Sequence, residues 1–110
     1  MLIVSANALW DTGATMSVIT PEIQNKLKIT PVDKKTIAGI HITKEVDVML
    51  ITIELPNRVI KKTIKVAVCD MASNSEMLIG MDIISLGDFS LSNGGNQTLF
   101  SFAVPLFGIK

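Results

Sequence analysis

Apolar and polar residues alternate along most of this chain, a pattern typical of strands with one buried face. Runs rich in Val, Ile and Thr recur between turn-forming residues. Between Leu50 and Ile51 the apolar positions change from even to odd numbers, which predicts either a β-bulge or a strand buried on both faces. The whole pattern predicts strands over residues 2–10, 15–19, 35–40, 43–55, 59–68, 77–79, 89–91 and 98–104.

Two short helices are predicted between the strands. The run Thr20-Pro21-Glu22 has the residue types of a helix start, and Pro31 requires that helix to be brief. Asp82 is predicted to cap a second helix that reaches Leu86. A turn within residues 93–96 would join the last two strands as a hairpin. The elements predict an all-β fold, a small closed or partly closed barrel with one or two short helices, as a single domain over residues 1–110.

Composition narrows the classes of function. The chain has 110 residues, of which 48% are hydrophobic, so we expect one folded domain with apolar surface left for a partner. Ten basic residues balance ten acidic ones, which makes nucleic acid an unexpected partner. No apolar run approaches the roughly 20 residues of a membrane span, and no signal peptide is evident, so a cytoplasmic location is expected. One His and the single Cys69, expected in the core, do not suggest a metal site.

Two segments carry candidate chemistry. Asp11-Thr12-Gly13 follows an apolar run, so a strand would deliver one carboxylate beside a glycine that permits a sharp turn. Alone the tripeptide is ordinary turn chemistry, and it occurs by chance in about 2% of chains of this length. The second segment is Leu78-Ile79-Gly80-Met81-Asp82, an apolar pair and a glycine before a short helix. Asp82 is expected to act as a helix cap or in another local structural role, and not as a second catalytic acid.

Together, Asp11-Thr12-Gly13-Ala14 and the segment 78–82 resemble the retropepsin-like aspartic proteases, the family of retroviral, retrotransposon and related bacterial enzymes. The resemblance implies that Asp11 is the catalytic aspartate and that Thr12, Gly13 and Ala14 complete the active-site loop. Thr12 would bond across to a partner chain, and the backbone of Gly13 would contact substrate. The resemblance implies that Thr15, Met16, Leu78 and Ile79 bind substrate. It also implies that Ala38, Gly39 and Ile40 bind substrate as part of a flap that covers the peptide.

The resemblance also implies an aspartic endopeptidase that works as a homodimer. Water attacks the peptide carbonyl while one carboxylate acts as base and a second, protonated carboxyl acts as acid. Two carboxyls about 3 Å apart share one proton, so both roles can be filled by a matched pair. Because this chain has one Asp-Thr-Gly, the second Asp11 would come from a second copy across a two-fold axis. The implied partners are that copy and an extended peptide, with no cofactor, metal, nucleic acid or membrane.

Two alternatives stay open. One is a catalytically inactive domain of the same fold that binds peptides or mediates assembly, motivated by a flap segment with the single glycine Gly39. The other is an unrelated small β-barrel with a chance Asp-Thr-Gly. That fold would not place Gly80 beside Asp11.

Overall fold

The structure is a computed structural model that describes residues 3–38, 43–56, 61–71, 74–94 and 97–103. The described residues form a mostly β fold with two short helices, as predicted. In chain order the elements are β1 (Ala8–Trp10), β2 (Val18–Ile19), α1 (Pro21–Leu27), β3 (Asp33–Ala38), β4 (Thr43–Glu54), β5 (Lys61–Val68), β6 (Met77–Ile79), α2 (Met81–Ile84), β7 (Asp88–Gly94) and β8 (Gln97–Ala103).

Six strands form one mixed sheet in the order β1–β6–β2–β5–β4–β3. The pairs β1–β6 and β2–β5 are parallel, and the other neighbours are antiparallel. Strands β7 and β8 form the predicted hairpin as a separate two-stranded sheet. The ring of Phe102 on β8 lies 5.0 Å from that of Trp10 on β1, which ties the hairpin to the edge of the large sheet. This partly closed arrangement confirms the predicted fold class.

One face of the large sheet carries the hydrophobic core. Residues paired directly across strands point to the same side of a sheet, so the register assigns every side chain to a face. On the first face, Met49, Val66 and Ile79 are almost fully buried, and Ile23 of α1 and Ile83 of α2 pack against them. We call this the core face.

The opposite face carries a second set of apolar residues, one from each of five adjacent strands. We call this set the apolar row. Its members are connected by direct pairing from strand to strand: Leu9, Leu78, Val18, Ala67 and Val48. Ala67 and Val48 are buried, whereas Leu9 at the edge is 46% exposed. The row is therefore covered at one end and open at the other.

Strand β4 accounts for the change of apolar phase in the sequence. It pairs with β5 without interruption from Val48 to Glu54, so this ladder contains no bulge. Val48 is buried on the face of the apolar row, and Met49 and Ile53 are buried on the core face. Of the two predicted explanations, burial on both faces is confirmed.

Helix α1 begins and ends where its local signals predict. The Thr20 hydroxyl accepts a hydrogen bond from the Ile23 amide at 3.4 Å, and Pro21 occupies the first turn. Glu22 and Lys26 form an ion pair one turn apart at 3.5 Å. Lys28 adopts the left-handed conformation that ends many helices.

Some predicted bounds and placements are wrong. The first strand, predicted over residues 2–10, is shorter: residues 3–7 lie outside β1, because β6 pairs only with Ala8, Leu9 and Trp10. Helix α2 has Gly80 as its N-cap and no side-chain cap bond, so the prediction that Asp82 caps it is wrong. Cys69 is half-buried and not part of the core, because it lies just past the end of β5. Neither helix in the described ranges is long and apolar enough to cross a membrane.

The different exposure of neighbouring residues on β4 predicts losses of stability of very different size. Met49 is 0% exposed, so Met49→Ala should leave a cavity and lower the free energy of unfolding by about 2–5 kcal/mol. Leu50 is 46% exposed, and Leu50→Ala should cost less than about 1 kcal/mol. Urea denaturation of the two variants measures the difference, and equal losses would contradict the assignment of the faces.

Candidate active site

The two segments that carry the sequence motifs lie side by side. The Asp11 amide donates to the Ile79 carbonyl oxygen at 2.9 Å and so extends the β1–β6 ladder by one residue. The Met81 amide donates to the Ala14 carbonyl oxygen at 2.7 Å. Gly80, between Ile79 and Met81, therefore lies against the Asp11 loop, which the alternative of an unrelated barrel would not produce.

The Asp11 carboxylate is held by its own turn. The Gly13 amide donates to Asp11 Oδ1 at 2.8 Å, and the Ala14 amide donates to the Asp11 carbonyl oxygen at 3.2 Å. A Cβ atom at residue 13 would lie 3.2 Å from the same Oδ1, so glycine lets the amide approach the carboxylate closely. Asp11 is partly buried, while Thr12 and Gly13 are exposed. The turn thus fixes one carboxylate at an exposed tip.

Gly80 is required here for space. A Cβ atom at this position would lie 2.9 Å from the Ala14 carbonyl oxygen and 3.0 Å from the carbonyl carbon and oxygen of Met16. These are backbone atoms that cannot rotate away, so any side chain would displace the loop. The φ angle of Gly80 is −98°, which every residue adopts easily. The constraint is therefore close approach of two backbones.

Ser17 anchors the far end of the loop through three hydrogen bonds. Its side chain is 0% exposed. The Ser17 amide donates to Asp82 Oδ2 at 2.9 Å, and its hydroxyl donates to Asp82 Oδ1 at 2.6 Å. The Gly80 amide in turn donates to the Ser17 hydroxyl oxygen at 3.0 Å. Both oxygens of the Asp82 carboxylate are occupied, so this group serves a structural contact between loop and helix.

Sequence reasoning missed Ser17. Its partner Asp82 is 65 positions away, and no local pattern connects them. The available signal was a small polar residue directly before Val18 and Ile19, where the chain enters the buried sheet.

The two apolar residues predicted to bind substrate lie on opposite faces. Leu78 belongs to the apolar row, where β2 and β5 lie between it and Val48, and it is partly buried. Ile79 is 2% exposed in the core, because successive residues of a strand point to opposite sides. The Ile79 side chain therefore faces the core and not the apolar row. What Ile79 brings to the site is its carbonyl oxygen, which accepts from the Asp11 amide.

The remaining predicted substrate residues divide between the loop and the β3–β4 connection. Thr15 is exposed, and Met16 is partly buried with its Sδ 3.7 Å from Lys35 Nζ. Ala38 is exposed at the end of β3. The predicted flap residues Gly39 and Ile40 lie outside the described residues.

The register identifies further residues on the side where the carboxylate is expected. Asp11 follows Leu9 by two positions along an extended ladder, so alternation directs both toward the same side. That side carries the apolar row, whose members Val18 and Val48 were not predicted as site residues. Among the described residues no three His, Cys, Asp or Glu side chains are grouped so that they could hold a metal ion.

Comparisons with known proteins bear on both motif segments. A family model described as Aspartyl protease matches residues 4–83, which include Asp11 and Gly80. Among solved structures, the solution structure of the protease of Simian Foamy Virus (mac) is similar, with 24% sequence identity and a TM-score of 0.48. That similarity covers 71% of this chain and 78% of the viral one. A search of the curated proteins gives no match.

The hydrogen bonds of Ser17 predict a large effect of a small substitution. Ser17→Ala would leave the Gly80 amide and one Asp82 oxygen without a partner in a buried place, so the free energy of unfolding should fall by about 1–3 kcal/mol. The control is Thr52→Val, which removes an exposed hydroxyl pair with Thr63 and should change stability by less than about 0.5 kcal/mol. Chemical denaturation gives both values, and a Ser17→Ala loss no larger than that of the control would contradict the anchoring role.

Proposed function

The chain belongs to the family of aspartyl proteases, and on that premise we propose that it is an endopeptidase whose active site forms between two copies. Asp11 of each copy would supply one of the two carboxyl groups. The observation that carries the proposal is the geometry of the Asp11 turn. The Gly13 amide donates to the Asp11 carboxylate at 2.8 Å. Gly80 packs closely against the backbone of the same loop at Ala14 and Met16.

A second copy is proposed because the chemistry needs two carboxyl groups in different protonation states. The unprotonated Asp11 takes a proton from water as the water oxygen bonds to the peptide carbonyl carbon. The protonated Asp11 of the other copy gives its proton to the carbonyl oxygen. Collapse of the tetrahedral intermediate breaks the C–N bond, and a carboxyl proton passes to the leaving amine. Asp82, the acid on the neighbouring segment, has both oxygens bonded to Ser17 and is unsuited to the second role.

The apolar row supports an extended peptide as the ligand. A peptide in strand conformation directs alternate side chains to one side, so it can set apolar side chains on the row while its backbone bonds to the loop. Leu9, Leu78 and Val18 would form the wall next to Asp11, whereas Ala67 and Val48 are buried and would support that wall from within the fold. Met16 and Thr15 would border the same groove, and Ala38, Gly39 and Ile40 would cover it.

The proposal predicts that Asp11→Asn abolishes cleavage and keeps the fold. The Asn side-chain oxygen can still accept the Gly13 amide, so the turn should persist. Without a carboxyl group to exchange protons, cleavage of a mixed peptide library at mildly acidic pH should fall about 100-fold or more. The control is Asp88→Asn, an exposed position at the start of β7, which should cleave like the wild type.

The outcomes separate the candidate functions. Unchanged cleavage by Asp11→Asn would overturn the assignment of Asp11. Cleavage by a chain that sediments strictly as a monomer would overturn the two-copy site. Peptide binding by a wild-type dimer that never cleaves would favour the alternative of an inactive peptide-binding or assembly module.

A further inference from the structure

The two faces of the β3–β4 pair carry different arrangements of charge. On the core face, Lys34 Nζ lies 3.7 Å from Glu45 Oε1 and 3.9 Å from Asp47 Oδ1. Asp47 also accepts from the Gln24 side-chain amide of α1 at 2.8 Å. The basic charge on this side is therefore matched by acids from neighbouring elements.

The face of the apolar row differs. Lys35 pairs with Val46, and Lys44 pairs with Ile37, so both lysines lie on this side of the sheet. Neither Lys35 nor Lys44 takes part in the ion pairs of the described ranges, which include those of Lys26 and Lys34. Lys35 Nζ lies instead 3.7 Å from the Met16 thioether, a weak acceptor that leaves its charge unneutralised.

Cys69 lies on the same side of the sheet as both lysines, by the alternation of β5 and the pairing of β4 with its neighbours. It follows Ala67 by two positions and is half-buried. Burial raises the pKa of the Cys69 thiol, the positive charges of Lys44 and Lys35 act against that rise, and Asp70 adds to it. Both ammonium groups are thus close enough to the thiol to act on it electrostatically. They lie further along β3 and β4 than Asp33 and Val48, which pair with each other at the buried end of the row.

We propose that Lys35 and Lys44 form a cationic edge of the substrate groove, which selects peptides with a Glu or Asp side chain next to the apolar residues seated on the row. The inference rests on the proposed function, because it assigns a substrate class to the same groove. Met16 links the two, since it borders the active-site loop and contacts Lys35.

The physical basis is an unpaired charge beside an apolar surface. A peptide carboxylate near Lys35 and Lys44 would gain charge-assisted hydrogen bonds in a groove that the bound peptide itself shields from water. Both lysines are exposed when the groove is empty, so each contact should strengthen binding only about two- to fivefold. Asp33, two residues before Lys35, and Asp70 carry negative charges that partly cancel the positive charge of the lysines. The test therefore removes the lysine charges themselves.

The test uses the Asp11→Asn variant, which should bind peptides without cleaving them. Short labelled peptides with a Leu-Phe centre carry Glu or Gln at one flanking position at a time, and fluorescence anisotropy measures their dissociation constants. At one or more positions Glu should bind about three- to tenfold more tightly than Gln, and the difference should shrink at high ionic strength. The bound Glu peptide should also slow alkylation of Cys69 by iodoacetamide, which locates it at this edge.

Two further variants, each made in the Asp11→Asn protein, show which lysines cause the preference for Glu over Gln. In Lys35→Met with Lys44→Met the aliphatic stems are kept, so the fold should persist while the preference for Glu disappears. In Lys62→Gln, an exposed lysine of β5 on the core face, the preference should remain. Denaturation of both variants checks that stability is unchanged.

The remaining outcomes decide the inference. Equal affinity for Glu and Gln at every position, or no peptide binding at all, would overturn it. A preference for Glu that survives in the double variant would also overturn it. If the wild-type chain never cleaves but the preference is present and depends on the two lysines, the proposed catalytic function fails while the cationic edge stands.

Discussion

The site depends on one close approach between two backbones, at Gly80. The loop that carries Asp11 lies so near to the end of β6 that even a methyl group at residue 80 would lie within 3.0 Å of the carbonyl groups of Ala14 and Met16. Gly80 and Ser17 are 63 positions apart, so this contact closes a long loop and costs chain entropy. Burial of Ile19, Ile79 and Ile83 around the contact offsets that cost.

The same close contact helps to hold the loop between Asp11 and Ser17 in one conformation. The β1–β6 ladder holds the start of the loop through the Asp11 amide, and the Asp82 carboxylate holds its end through Ser17. Between these points Thr12, Gly13 and Thr15 are exposed. A carboxylate presented from a loop fixed at both ends loses little further freedom when it meets a ligand, which is the property that an acid–base group needs.

Sequence predicts those parts of the fold that depend on local chemistry. Helix α1 was predictable because Thr20 and Pro21 act within one turn, and the two-sided burial of β4 was visible in the shift of its apolar positions. The motif around Asp11 and Gly80 identified the family. Long-range choices were not predictable, and Asp82 is the clearest example. An acid near the start of a helix is a common cap residue. In this fold the Asp82 carboxylate instead accepts hydrogen bonds from Ser17, a residue 65 positions away in the sequence that comes close only when the chain is folded.

The pairing register of the strands, which is also a long-range property, limited the prediction of the site residues. Leu78 and Ile79 are equivalent by composition, yet pairing with β1 and β2 sends one to the apolar row and the other to the core. Cys69 continues an alternating apolar run, but the sheet ends at Val68, so the thiol is only half-buried. In both cases the sequence gives the residue type, and the position of the neighbouring strand decides what that residue does.

The two faces of the large sheet therefore have different physical roles. The core face is closed by both helices, and its charges at the β3–β4 end are paired through Lys34. The other face keeps Leu9 46% exposed and Lys35 beside a thioether, an arrangement that contributes little to the stability of a lone chain. The net charge of zero does not reveal that lysines at the β3–β4 end are paired with acids on one face and not on the other, because it is a sum over the whole chain. Zero net charge argues against a polyanion spread over the whole surface, but it places no limit on a single acidic side chain that meets the lysines of one face.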